Sequence, residues 1–141
     1  MDWKLEVIVL PVADIDRAMA FYTDKLGFKL DVDHRAGDTF RVVQLTPPGS
    51  ACSISMVAGN MNPAAASQPG SVKGLHLVVP DIDAAHAELV ERGAEVSEIF
   101  HFGAGGQTPG PDPERNDYGS FISFNDPDGN GWLVQEVRRA A

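Results

Sequence analysis

Residues 5–27 read LEVIVLPVADIDRAMAFYTDKLG, and residues 72–93 repeat the same order of features as VKGLHLVVPDIDAAHAELVERG. In both stretches an apolar run leads into Asp-Ile-Asp, and an amphipathic segment follows that stops at a glycine. The two tripeptides begin at Asp14 and Asp81, 67 residues apart in a chain of 141 residues. Because the two copies are separated by about half the length of the chain, they indicate two similar modules.

Each copy of the repeat predicts a strand followed by a helix. Residues 7–10 and 75–79 are short apolar runs of the kind that form strands covered on both faces. Asp14 and Asp81 are good N-caps, because a short carboxylate accepts the unpaired amide hydrogens of the first helical turn. The glycine that closes each copy stands where a helix would end in a left-handed residue.

Three further strands are predicted after each helix, at residues 28–34, 40–45, 52–57, 94–100, 120–124 and 132–137. The order of one strand, one helix and three strands predicts an α+β fold, because a doubly wound fold would alternate strands with helices. We expect one domain with modules at 1–57 and 72–141, joined by a linker at 58–71. Residues 103–119 contain five glycines and three prolines and are predicted to form a long loop, of the length that lids have.

Composition and charge narrow the classes of function. Acidic residues outnumber basic ones by 20 to 11, and the second module alone carries 12 acidic and 5 basic residues. This balance argues against nucleic acid and anionic membranes as partners, because phosphate binding needs clustered positive charge. A single cysteine, Cys52, excludes an internal disulfide. No apolar run approaches the roughly 20 residues of a membrane helix, and the acidic start differs from a signal peptide, so a cytoplasmic protein is predicted.

Three motifs together resemble the vicinal oxygen chelate superfamily, which includes glyoxalase I, bleomycin-resistance proteins, fosfomycin-resistance enzymes and extradiol dioxygenases. They are the first strand ending in Val-x-Asp, the stretch DIDRAMAFYTDKLGF at 14–28 and the Asp-Pro-Asp-Gly-Asn turn at 126–130. The resemblance covers essentially the whole chain. It implies two βαβββ modules in one cupped, mixed, eight-stranded sheet, with helices outside and a ligand cavity inside.

The resemblance also implies four positions for the ligands of a divalent metal. Aligning the motifs places these positions at Val7, Ser53, Gly74 and Leu133. Valine, glycine and leucine side chains cannot coordinate a metal, and one serine hydroxyl is a poor ligand alone. We therefore predict no cofactor and no metal site of the usual kind, while a divalent metal bound through other ligands stays open.

Five residues are candidates for contact with a ligand: His76, Gln135, His101, Tyr118 and Phe121. The first two share a strand face with metal-ligand positions and would project into the implied cavity. The other three flank the long loop, where an aromatic ring can stack on a flat ligand. Each also has a structural interpretation, as a half-buried histidine, a solvated amide or a core aromatic. No catalytic residue is identified.

The function favoured by these observations is small-molecule binding of the bleomycin-resistance type, with sequestration of a cationic or aromatic ligand. The alternative is an enzyme of the same family, a glyoxalase-like lyase, an isomerase or a dioxygenase, whose metal site has moved or been lost. We also expect a homodimer, because one module leaves apolar sheet uncovered until a second module covers it. Whether that second module comes from the same chain or from another stays open.

Overall fold

A computed structural model of the chain describes residues 1–59 and 62–138. Within these ranges the helices are α1 (Ile15–Ala20), a π-helical continuation at Phe21–Lys25 and α2 (Ile82–Glu91). The strands are β1 (Val7–Val9), β2 (Lys29–Ala36), β3 (Phe40–Thr46), β4 (Ser53–Ala58), β5 (Leu75–Val79), β6 (Phe100–Gly103), β7 (Gly106–Pro109), β8 (Phe121–Asn125) and β9 (Gly131–Glu136). The predicted α+β class is confirmed.

The strands form two hydrogen-bonded sheets, in the orders β1-β4-β3-β2 and β5-β9-β8-β6-β7. Each sheet is mixed, because its first strand runs parallel to its neighbour and the remaining pairs are antiparallel. The described residues thus contain nine strands in two sheets, where the sequence predicted eight strands in one. The additional strand is β7, which lies inside the segment that was expected to be a loop.

The chain divides into two compact units. Unit 1 comprises Met1–Val72 together with Asp126–Asn130, and unit 2 comprises Lys73–Asn125 together with the chain from Gly131 onward. The turn at 126–130 therefore belongs to unit 1, although it lies within the predicted second module, 72–141. The module boundaries predicted from the repeat remain a prediction.

Unit 1 packs α1 against one face of its sheet. Asp14 caps the helix, since its side chain accepts a hydrogen bond from Arg17 N at 3.1 Å. The Thr23 hydroxyl donates to the Met19 carbonyl at 2.9 Å, within the wider π-helical turn. The segment ends at Gly27 with φ +71°, as the sequence predicted. The sheet residues buried beneath the helix are Val43, Leu45, Ile54 and Met56.

The turn at 126–130 is anchored in unit 1 by buried polar groups. The Tyr22 hydroxyl donates to Asp126 Oδ2 at 2.8 Å, and Asn130 Nδ2 donates to the same oxygen at 2.8 Å. Asn130 Nδ2 also donates to the Pro11 carbonyl at 3.1 Å. Tyr22 and Asn130 are fully buried. The most recognisable motif of the chain therefore serves packing in unit 1.

Unit 2 packs α2 over one face of its five-stranded sheet. Asp81 caps α2 by accepting a hydrogen bond from Ala84 N at 3.1 Å. Alternate residues of β8 and β9 are buried on this side: Ile122, Phe124, Trp132, Val134 and Glu136. Since neighbouring strand residues point to opposite faces, the residues between them define a second face. This open face carries His76, Val78, Phe121, Ser123, Leu133 and Gln135.

Two predictions for unit 2 are wrong at the level of single elements. The strand predicted at 94–100 begins only at Phe100. Before it, Ser97 N donates to the Ser123 carbonyl, but Ser123 N donates to Ser97 Oγ at 2.9 Å, so a side chain replaces the backbone acceptor of a regular ladder. The loop predicted at 103–119 begins instead as a β-hairpin, because β6 pairs with β7 from Phe100↔Pro109 to Gly103↔Gly106.

Candidate functional site

The strand register of unit 2 brings a row of side chains together on the open face. Gln135 of β9 lies directly between Val78 of β5 and Phe121 of β8. Phe121 in turn pairs with Phe100 of β6, and Phe100 pairs with Pro109 of β7. A neighbouring row contains His76, Leu133 and Ser123. The open face is thus mainly apolar, with an amide and an imidazole at defined points.

Three aromatic rings cluster on this face. Phe100 stacks on Phe121 with ring centroids 5.4 Å apart and planes 14° from parallel. Phe102 meets Phe100 edge-on at 5.9 Å and Phe121 edge-on at 5.4 Å. These separations are those of favourable aromatic pairs. The outermost ring, Phe102, is 63% exposed to solvent. A ligand in contact with this ring would remove its apolar surface from water.

A pocket of about 310 Å³ opens beside this cluster. It is lined by Ser97, Glu98, Ile99, Phe100, Gln107 and Pro109, which belong to the β6–β7 hairpin and the segment before it. Phe100 lines the pocket and also stacks on Phe121, so the pocket and the aromatic cluster adjoin each other. The volume is at the lower end of the range for small-molecule sites.

His76 is exposed on the open face, and one of its ring nitrogens is engaged. Its Nδ1 lies 2.6 Å from the carbonyl oxygen of Gly74. A carbonyl can only accept, so Nδ1 donates this hydrogen bond. Nε2 of His76 is then the ring nitrogen that remains for a polar group on a ligand.

The remaining predicted contact residues lie elsewhere. His101 points away from the face that carries Phe100, and its Nδ1 lies 2.7 Å from the Gly110 carbonyl oxygen. Tyr118 is 46% exposed and has a left-handed backbone with φ +65°. Its amide donates to the Glu136 carbonyl at 2.8 Å. The structure thus brings His76, Gln135 and Phe121 to one face and leaves the other two residues off it.

The positions where the family holds a metal do not provide a ligand set. Val7 and Ser53 are direct partners in the register of β1 and β4, and the Ser53 hydroxyl is 2.7 Å from Thr46 Oγ1. In unit 2, Leu133 pairs with His76, while Gly74 has no side chain. Nowhere in 1–59 and 62–138 do three His, Cys, Asp or Glu residues group closely enough for a metal ion. These residues do not fit a divalent metal at the family positions.

A buried carboxylate holds the chain that follows the hairpin. Glu136 is 1% exposed, and its oxygens accept hydrogen bonds from Ile82 N at 2.9 Å and from Arg115 Nε at 2.9 Å and Nη2 at 2.6 Å. The hydrogen bonds from Arg115, helped by the backbone amide of Ile82, lower the pKa of Glu136 from 4.5 to about 2. Arg115 also pairs with Asp83 in α2 at 3.0 Å. The segment predicted to be a long loop is therefore tied to β9 and α2 by the side chain of Arg115.

Sequence reasoning missed several residues of this region. Phe100 and Phe102 alternate with His101, so strand parity could have placed them beside Phe121 once β6 was located correctly. Arg115 carries no signal in the sequence, because its partner, Glu136, is 21 residues away in a different strand. Glu98 was not identified as a candidate, because residues 94–100 were predicted to form a strand that begins only at Phe100.

The chain belongs to the Glyoxalase/Bleomycin resistance protein/Dioxygenase superfamily, whose family model matches residues 4–134. This confirms the family and fold that the motifs predicted. The chain is similar to TnmS3, an antibiotic binding protein from Streptomyces sp. CB03234, with 30% identity, a TM-score of 0.71 and 96% of both chains covered.

Two further solved structures are similar over nearly the whole chain. A glyoxalase/bleomycin resistance protein from the same Streptomyces strain is 31% identical, with a TM-score of 0.68, covering 94% of this chain and 99% of its own. A superfamily member from Sphaerobacter thermophilus DSM 20745 is 25% identical, with a TM-score of 0.69, covering 96% and 98%. No helix within 1–59 and 62–138 is long and apolar enough to cross a membrane.

Proposed function

We propose that this protein binds and sequesters an aromatic small molecule on the open face of unit 2, without a metal. The observation that carries the proposal is the cluster of Phe100, Phe102 and Phe121 beside a pocket of about 310 Å³. The rings supply a flat apolar platform, and Gln135 and His76 supply hydrogen-bonding groups at its edge. Such a surface binds and orients a ligand.

The similarity to TnmS3 supports binding in place of catalysis. That protein is an antibiotic binding protein, and it matches this chain over 96% of both lengths. The residues at the family's four metal-ligand positions also favour binding without a metal. They are Val7, Ser53, Gly74 and Leu133. A resistance or storage function by sequestration needs affinity alone, and the open face provides apolar area for it.

A ligand screen with one matched pair of variants tests the proposal. Thermal shifts and fluorescence titrations would compare aromatic cations, aromatic acids and α-ketoaldehyde adducts, because a bound ligand stabilises the native state by mass action. We expect aromatic compounds to bind and Phe102→Ala to weaken them about tenfold. Val90→Ala, on the exposed side of α2, is the control and should leave affinity unchanged. Equal affinity in Phe102→Ala and the wild type would contradict this site.

Metal analysis separates binding from the family's enzymatic alternative. Purified protein would be dialysed and then measured for divalent metals, together with the effect of added metals on thermal stability. We expect no stoichiometric metal and no shift in Tm. A divalent ion retained at one per chain would instead favour a lyase, isomerase or dioxygenase with ligands at new positions.

We further propose that the protein is a homodimer and acts in the cytoplasm. Leu30 and Val32 on unit 1 are both more than a third exposed, which leaves apolar sheet away from the proposed ligand face for a second chain to cover. Cys52 is a free thiol, which suits a reducing compartment. Sizing with light scattering at micromolar concentration tests the dimer, and a monomeric mass would overturn it.

A further inference from the structure

The pocket of the β6–β7 hairpin differs in charge from the apolar platform beside it. Glu98 is the one ionisable side chain in the lining, and Gln107 adds an amide. Ser97 is already engaged, because its hydroxyl donates to the Glu98 carbonyl at 2.8 Å and accepts from Ser123 N at 2.9 Å. The polar groups left for a ligand are therefore the carboxylate of Glu98 and the amide of Gln107.

No cation of the described part of unit 2 pairs with this carboxylate in a salt bridge. Arg115 forms salt bridges with Glu136 and Asp83. Nε of Arg92 lies 3.8 Å from Glu88 Oε1. Nε of Arg138 lies 3.9 Å from Glu136 Oε1. Among residues 1–59 and 62–138 the carboxylate of Glu98 forms no salt bridge, and the second module carries a large excess of acidic residues. A negative charge beside an aromatic wall attracts a positive group from outside the chain.

We propose that the hairpin pocket holds the basic nitrogen of an aromatic amine, with Glu98 as its counter-ion and Phe100 as the ring against which it rests. This inference rests on the proposed function, because the aromatic body of the same ligand would lie on Phe102 and Phe121. Gln107 then accepts a hydrogen bond from the ammonium. The site selects cations over neutral and anionic compounds of the same shape.

Three probes of one shape test the selection by charge. They are anthracenes substituted on the central ring with an aminomethyl, a hydroxymethyl or a carboxylate group, titrated by fluorescence at neutral pH. We expect the amine to bind wild-type protein about fivefold more tightly than the alcohol, the gain of one partly solvated ion pair, and the carboxylate to bind most weakly. Added salt should weaken the amine more than the alcohol.

The variants are Glu98→Gln and, as the matched control, Glu95→Gln, an exposed acidic residue of the same segment that is not part of the lining. Glu98→Gln should remove both the preference for the amine and its salt dependence, and Glu95→Gln should keep both. Equal binding of amine and alcohol to the wild type, or a preference that survives in Glu98→Gln, would overturn the inference. Binding of the alcohol that is lost in Phe102→Ala would then still support the proposed function, whereas failure of all three probes would overturn both.

Discussion

Arg115 and Glu136 form a two-point ion pair in which one partner is almost completely buried. Nε and Nη2 of the arginine lie 2.9 and 2.6 Å from the two carboxylate oxygens. Arg115 itself adopts φ +52°, a backbone conformation that is uncommon outside glycine. The ion pair with Glu136 holds the Arg115 side chain in place at this turn. Glu136 also accepts a hydrogen bond from Ile82 N, so one carboxylate ties β9 to the start of α2 and to the chain after the hairpin.

Glu136→Gln should therefore destabilise the protein. The amide keeps the shape of the side chain but loses the charge that balances Arg115, and a hydrogen bond to a charged group contributes about 1.5–3 kcal/mol. We expect a loss of about 2–3 kcal/mol in the free energy of unfolding, measured with urea. Asp83→Asn is the control, since its pair with Arg115 is more exposed and should cost less than about 1 kcal/mol. Equal losses in both variants would contradict the role of burial.

The same carboxylate predicts a dependence of stability on acid. Its pKa is about 2 in the folded protein and 4.5 in its ordinary state, so folding favours the charged form. The stabilisation is fully present above pH 4.5 and is lost as the pH falls towards 2. The difference in unfolding free energy between the wild type and Glu136→Gln should shrink across this window in urea titrations. Glu95→Gln should follow the wild type throughout. A difference that stays constant with pH would show that ionisation of Glu136 is not the cause.

In unit 1, Tyr22 makes the corresponding buried contact with Asp126. Tyr22→Phe removes a donor at 2.8 Å and leaves Asp126 Oδ2 with Asn130 alone. We expect a loss of about 1–2 kcal/mol in the free energy of unfolding. Tyr118→Phe serves as the control, because that side chain is half exposed, and its loss should stay within about 0.5 kcal/mol. Calorimetry of both variants gives the comparison, and a Tyr22→Phe protein as stable as the wild type would refute it.

Local signals in the sequence were sufficient for the framework of the fold. The two Asp-Ile-Asp repeats predicted both helix starts, because capping by Asp14 and Asp81 depends only on residues within one turn. Alternation along β5 and β9 likewise placed His76 and Gln135 on one face. The family resemblance was confirmed over residues 4–134.

The rest depended on contacts between distant residues. The strand predicted at 94–100 failed because Ser97 offers its hydroxyl to Ser123 N, a substitution that hydrophobic periodicity cannot reveal. The position of the chain after the hairpin depends on the ion pair between Arg115 and Glu136. No local sequence pattern predicts that these two residues pair. The candidate pocket could not be predicted, because its lining depends on the register between β6 and β7, which only the structure reveals.

Gly70 gives the last prediction, because the predicted linker is closely packed at this residue. Its φ is +82°, and an added Cβ would overlap the carbonyl oxygen of Asp128. That turn cannot move aside easily, since Asp128 Oδ1 accepts hydrogen bonds from Ala13 N and Arg17 Nη2, both at 3.0 Å. Gly70→Ala must therefore bear a clash with backbone as well as a left-handed alanine.

We expect Gly70→Ala to lower the free energy of unfolding by more than about 3 kcal/mol, from the clash added to backbone strain. Gly49→Ala is the matched control, because Gly49 has φ +81° and nothing within 4 Å of the added atom. It should cost only the strain of the left-handed backbone, about 1–2 kcal/mol. Urea unfolding of the two variants separates the terms. Equal losses would mean that Asp128 yields to the new methyl group and that the turn at 126–130 is not held as tightly as its hydrogen bonds indicate.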